Sequence, residues 1–176
     1  MLGACATPGG YAGVPGENRA ERLAAAGDHA DAARIYIGLA AEASVQERDR
    51  LTLLAVEQWL DAGDIDRARS AFGDISRPAA AEARNLWDTN AAALSLYAGE
   101  ADSAVAYMRR VWPLMERSQI LRIRSVLVRC LQSRACCALA AAAGSPERDR
   151  LLAVAEKDAR TIEREKHFSV AANQAK

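Results

Sequence analysis

The chain has 176 residues, and its 23 basic and 23 acidic side chains leave no net charge at neutral pH. That length suits one domain with a substantial core, and a composition 51% hydrophobic and 26% charged argues against disorder. Neutral charge, and arginines without interleaved aromatics, argue against nucleic acid as a partner. Alanine runs at 24–26 and 140–143, sparse β-branched residues and no sustained apolar–polar alternation predict an all-α fold. No apolar stretch is expected to reach the roughly 20 residues that span a bilayer.

Taken in chain order, residues 1–16 come first. Leu2-Gly3-Ala4-Cys5 is similar to a bacterial lipobox, in which small residues precede a cysteine that receives a diacylglyceryl group. Cys5 is therefore the candidate lipidation residue, and the small-residue stretch that follows, up to Gly16, reads as a tether. The charged and apolar regions of a signal peptide are not in this stretch, so the chain is expected to begin at the end of one. Ala6 would fit outer-membrane sorting.

Residues 17–176 read as helical repeats. Ala26-Gly27-Asp28 recurs as Ala62-Gly63-Asp64 and Ala98-Gly99-Glu100, with the glycines 36 apart both times. Five residues after each glycine stands alanine (Ala32, Ala68, Ala104), and four later a large apolar residue (Tyr36, Phe72, Met108). This is a helix-turn-helix repeat of tetratricopeptide length. The glycine supplies a left-handed helix end, and the acid beside it favours the start of the next helix. The alanine lets antiparallel helices touch, and the large residue packs back between them. Trp59 is assigned to the same interior.

The pattern predicts about eight helices: 17–26, 29–43, 46–62, 65–74, 79–98, 101–117, 118–143 and 146–166. Pro113 is expected to kink or end the sixth. Ile120, Ile123, Leu127 and Leu131 predict a buried stripe, and the last helix pair is expected to drift from the 36-residue period. The acids lie mostly in the first half, sixteen against nine bases over 17–102. Residues 105–140 hold seven arginines and one acid, Glu116. Solvated helix faces explain this; a basic partner-binding strip is the sharper reading.

Residues for chemistry are scarce. His29 and His167 lack ligand-spaced partners and read as surface residues. Cys130, Cys136 and Cys137 form no pair of CxxC motifs, and Cys130 and Cys137, seven apart, read as core. There is no glycine-rich phosphate loop, nucleophile elbow or HExxH motif. Asp61, Asp64 and Asp66 read as caps and solvated turns, and Asn85, Asp88 and Asn90 as solvent-exposed positions or groove contacts. No catalytic residue, metal or cofactor is assigned. A groove formed by the first helices of each pair is expected to bind a protein partner.

Two resemblances refine this. RLAAAGDHADAARIYIGLAAEA, ERDRLTLLAVEQWLDAGDIDRARSAF and LWDTNAAALSLYAG, taken over residues 19–97 and running on to Gly99, resemble the N-terminal tetratricopeptide-like domain of the LpoA family, outer-membrane lipoproteins that activate a penicillin-binding protein. The resemblance implies regulation of peptidoglycan synthesis from the periplasmic face of the outer membrane, through contact with a penicillin-binding protein. That family's second, C-terminal domain, which carries its main synthase contact, is not matched here. WPLMERSQILRIRSVLVRCLQSRACCALAAAAG and LLAVAEKDARTIEREK, within residues 91–166, resemble repeats C-terminal to some bacterial serine/threonine kinases and imply a cytoplasmic signalling scaffold. Neither family supplies catalytic residues. The chain is expected to continue in a longer array.

Overall fold

The computed structural model describes the backbone of residues 16–174, and side chains in that range except Gln46 and residues 166–174. Cys5 therefore lies outside the described residues, as does the side chain of His167. Among the described residues the fold is all-α and repeat-like. Its helices are α1 (Glu17–Ala25), α2 (His29–Glu42), α3 (Val45–Asp61), α4 (Ile65–Gly73), α5 (Ala81–Tyr97), α6 (Ala101–Arg117), α7 (Arg124–Ala142) and α8 (Arg148–Gln174). They pair as α1–α2, α3–α4, α5–α6 and α7–α8, and each pair stacks on the next to make a solenoid-like array.

The turns show why the period is 36. Gly27, Gly63 and Gly99 take φ of 88°, 76° and 78°. At each, the glycine N–H reaches the carbonyl three residues back, and the next N–H reaches five back: Gly63 to Leu60 at 3.1 Å and Asp64 to Trp59 at 2.9 Å. These paired bonds form a Schellman close, which satisfies carbonyls that a helix end leaves open. The residue after each glycine then starts the following helix. Only Asp64 also caps with its side chain, Oδ1 accepting from the Arg67 N–H at 3.3 Å; Asp28 and Glu100 make no such bond.

Ala32, Ala68 and Ala104 are fully buried at the helix contacts. A larger side chain there would overpack by about 1–3 kcal/mol. Tyr36, Met108 and Trp59 are buried, while Phe72 is half-buried with its ring 5.0 Å from that of Trp87. Tyr36, Leu51, Val56, Trp59 and Leu60 form the core of the first half. Met108, Val111, Met115, Cys130 and Leu151 form that of the second.

Four sequence expectations are narrowed or corrected here. Of the two outcomes expected at Pro113, a helix end is excluded: α6 runs on to Arg117, and the Ser118 N–H still reaches the Leu114 carbonyl at 3.0 Å. Proline removes one bond, and the residues beyond it keep theirs. The helix expected from residue 118 starts at Arg124 instead. Gln119 adopts a left-handed φ of 59°, and a 3-10 turn, Ile120–Arg122, tucks Ile120 into the core. That geometry leaves Ile123 42% exposed, while Ile120 and Leu131 of the expected stripe are buried and Leu127 is half-buried; Val126, Cys130, Cys137 and Ala141 complete the buried face. Finally, α7 is long and apolar enough, by length and composition, to be weighed as a membrane span. Packing against α5, α6 and α8 accounts for its apolar face.

Candidate functional site

The first helices of the last three pairs, α3, α5 and α7, lie side by side and enclose a cleft of about 390 Å³. The 36-residue period builds its walls. Glu57, Ala93 and Arg129 occupy one repeat position on successive helices. Leu60, Leu96 and Gln132 occupy a second, and Asp61, Tyr97 and Ser133 a third. All nine side chains line the cleft. The cleft positions of α7 keep the repeat register, but the helix runs on to Ala142, past position 135 where the period would place the next turn, and α8 starts only at Arg148, so the last pair drifts from the period as expected.

Buried polar bonds hold the three helices in place. Asn90 Nδ2 donates to the Leu53 carbonyl at 2.9 Å, and the Tyr97 hydroxyl donates to the Leu60 carbonyl at 3.2 Å, joining α5 to α3. The Cys130 thiol donates to Asn85 Oδ1 at 3.1 Å, joining α7 to α5. Arg129 Nε meets Glu57 Oε1 at 2.8 Å, which bridges α7 and α3 over α5. The α5 centre is fixed from behind by Asp88, whose carboxylate accepts two bonds from Arg77 at 2.8 Å and one from the Tyr107 hydroxyl at 2.6 Å. Asn85, Asp88 and Asn90 are thus 2–3% exposed, which corrects the expectation that they face solvent; of the three, Asn90 lines the cleft. Their side chains satisfy one another's helices, as buried polar groups must.

Of the seven arginines in the basic middle, Arg109, Arg110, Arg117, Arg122 and Arg124 are exposed, as solvated helix faces require, and Arg129 and Arg134 are half-buried. On α7, Arg124, Arg129 and Arg134 pair with Glu165, Glu57 and Asp158. Similarly, Arg50 on α3 grips Glu17 of α1 through two bonds of 2.7 and 2.9 Å, with burial of both side chains. With Arg109, which meets Glu147 just before α8, four arginines of the basic middle pair with acids outside their own helix, and one of these pairs, Arg129–Glu57, reaches the acidic first half.

The cleft's electrostatics centre on α3. Burial pushes the Glu57 carboxyl above the usual carboxylate range, more than Arg129 lowers it, and its Oε2 is shut from solvent with no hydrogen-bond partner among the described residues. Asp61 is raised as well, chiefly by burial, against the lowering charges of His29 and Arg129. Asp61 is therefore a member of the cleft wall, beyond the turn role expected of it. His29 is half-buried, its Nδ1 2.9 Å from Gln58 Oε1 and 4.0 Å from Asp61.

Several hydroxyl and thiol groups at or behind the cleft are committed to the fold. Thr89 Oγ1 donates to the carbonyls of Asn85 and Leu86. Burial pushes the Cys130 thiol up to about 11 and that of Cys137 to about 12, so both stay protonated at neutral pH. Cys136 is exposed on the cleft wall. Among the described residues no group of three or more His, Cys, Asp or Glu side chains is placed to hold a metal ion. What the cleft offers is apolar wall (Leu60, Ala93, Leu96), hydrogen-bonding side chains and one aromatic, Tyr97, 55% exposed beside it. Comparisons with protein-family models, curated proteins and solved structures give no match.

Proposed function

We propose that this chain is a non-catalytic helical-repeat module that binds another protein in the cleft of α3, α5 and α7. One observation carries the reading: three repeat positions, copied onto three adjacent helices, supply most of the cleft wall. A repeating array generates an extended binding surface in just this way. Exposed Tyr97, next to apolar and hydrogen-bonding groups, is the type of side chain on which interfaces concentrate their energy.

The partner follows from the sequence. With Cys5 as its lipid anchor, the protein is an outer-membrane lipoprotein facing the periplasm. It regulates peptidoglycan synthesis by binding a penicillin-binding protein, as the LpoA-like stretch over residues 19–97 implies. The resemblance of residues 91–166 to kinase-linked repeats favours a second reading, a cytoplasmic tetratricopeptide scaffold.

Metabolic labelling with a palmitate analogue separates the two. The lipoprotein reading expects label on the wild type and none on Cys5→Ala; an unlabelled wild type overturns it. Gln132→Trp, at an exposed position, fills the cleft mouth without touching the core. It should keep the helical circular dichroism and lose at least tenfold in affinity for a penicillin-binding protein tagged with fluorescent penicillin. Unchanged affinity would remove the cleft from the binding account.

A further inference from the structure

A second cavity, of about 310 Å³, lies between α6, α7 and α8, and its chemistry differs from that of the cleft. Its apolar floor includes Met108, Trp112, Leu151 and Val154. Pro113 also lines it, at the point where α6 lacks one backbone donor. Its charged lining consists of Arg109, Arg134, Arg150 and Lys157, with no carboxylate among the lining residues.

Nearby acids balance only part of this charge. Arg134 is committed to the fold: its guanidinium lies 3.3 Å from the Trp112 ring centroid and holds buried Asp158 through bonds of 2.7 and 2.5 Å. Arg109 and Arg150 share a single carboxylate, Glu147, at 2.7 and 3.5 Å. Glu116 takes the Trp112 indole N–H at 2.7 Å. The neighbouring Glu156 pairs with Arg160. Lys157 has no carboxylate within ion-pair distance among the described side chains. The result is an apolar hole with surplus positive charge at its rim, half-exposed Arg109 and largely exposed Arg150 included.

We propose that this cavity is a second binding site, for an acidic peptide segment that inserts a large apolar side chain against Trp112 while its flanking carboxylate is held by Lys157 and Arg150. The volume is at the small end for ligand pockets, which suits one side chain, and the positive rim complements a carboxylate. The choice of a peptide rests on the reading of this chain as a protein-binding module; the charge and apolar requirements do not. Arg134 is a positioning residue here, because Asp158 already occupies its donors.

The test is calorimetric titration of the full chain with a capped ten-residue peptide in which glutamates flank a leucine, at low ionic strength. Comparison peptides replace the glutamates with lysine or the leucine with serine, and octanoate serves as a free amphiphile. Expected is saturable binding of the Glu–Leu peptide, a loss of at least tenfold with either comparison peptide, and a similar loss in Lys157→Glu and Arg150→Glu. Gln132→Trp should bind this peptide normally, so that failure here and failure at the cleft are told apart. No binding, or binding unchanged in both charge-reversal variants, overturns the proposal. So does loss in Gln132→Trp, which would place the peptide in the cleft. Binding of octanoate alone, lost in the same variants, would make the occupant a free amphiphile and overturn the peptide assignment.

Discussion

Replacing Asp88 tests whether α5 is locked from behind. The carboxylate is 3% exposed and accepts three charge-assisted or short bonds, two from Arg77 and one from Tyr107, which tie the α4–α5 loop, α5 and α6 together. Removing one partner of a buried ion pair costs about 3–5 kcal/mol. Asp88→Ala should fall at the low end, about 3 kcal/mol, because Arg77 is 38% exposed and can turn its guanidinium to water. Arg77→Ala should cost more, about 4 kcal/mol, since it strands the carboxylate with only Tyr107 as a donor. For a chain of this size each kcal/mol shifts Tm by about 2–4 °C, so Asp88→Ala should melt about 6–12 °C lower. Urea unfolding with linear extrapolation gives the free energies, and circular dichroism gives Tm. The double variant Arg77→Met, Asp88→Leu, which buries neither charge, should recover most of the loss. An Asp88→Ala protein within about 1 kcal/mol of wild type would refute the reasoning, and so would an Arg77→Ala protein more stable than Asp88→Ala.

Two glycines should respond with opposite signs. Gly63→Ala meets no steric neighbour but must hold φ at 76°, so it should lose about 1–2 kcal/mol, with Gly63→Asn milder; Gly38→Ala, inside α2 with open space around it, should gain about 0.5–1 kcal/mol. Denaturant midpoints of the three variants check this, and two effects of the same sign would contradict it. Glu57→Gln addresses a carboxyl whose folded pKa lies above the ordinary value of 4.5. Such a group favours the folded state fully below its unfolded pKa and loses that contribution as pH rises through its folded pKa. Glu57→Gln should therefore melt above wild type at pH 7, with the gap closing toward pH 4. A gap of the reverse sign, growing with pH, would mean that the Arg129 ion pair outweighs burial.

The all-α repeat was legible because its turns depend on single residues. Gly27, Gly63 and Gly99 mark left-handed helix ends that few other residues tolerate, and the buried alanines follow at a fixed offset. The cleft was written in the same period, since Glu57, Ala93 and Arg129 are 36 residues apart, but the alignment of turns alone does not draw the eye to helix positions between them. Asn85, Asp88 and Asn90 looked solvent-facing because polarity is a local signal, whereas their partners are not local. Asn90 bonds Leu53 across 37 residues, and Asn85 meets Cys130 across 45. The break at residues 118–123 was hidden for a different reason: it depends on a non-glycine residue, Gln119, in the left-handed region, and no residue type there announces a turn. The cavity beside Trp112 needed three helices to be placed before its unbalanced charge became visible.

Site-specific photocross-linking tests the central claim most directly. A photoreactive phenylalanine analogue is placed on α7 either at Gln132, which lines the cleft, or at Leu139, which is 53% exposed and outside it. After illumination in bacterial envelopes, cross-linked products are scored for fluorescent penicillin. A cleft-bound synthase should give a penicillin-labelled adduct from position 132 and none from position 139. An adduct from position 139 alone, or none from 132 while a penicillin-binding protein still co-purifies with the chain, would contradict that claim.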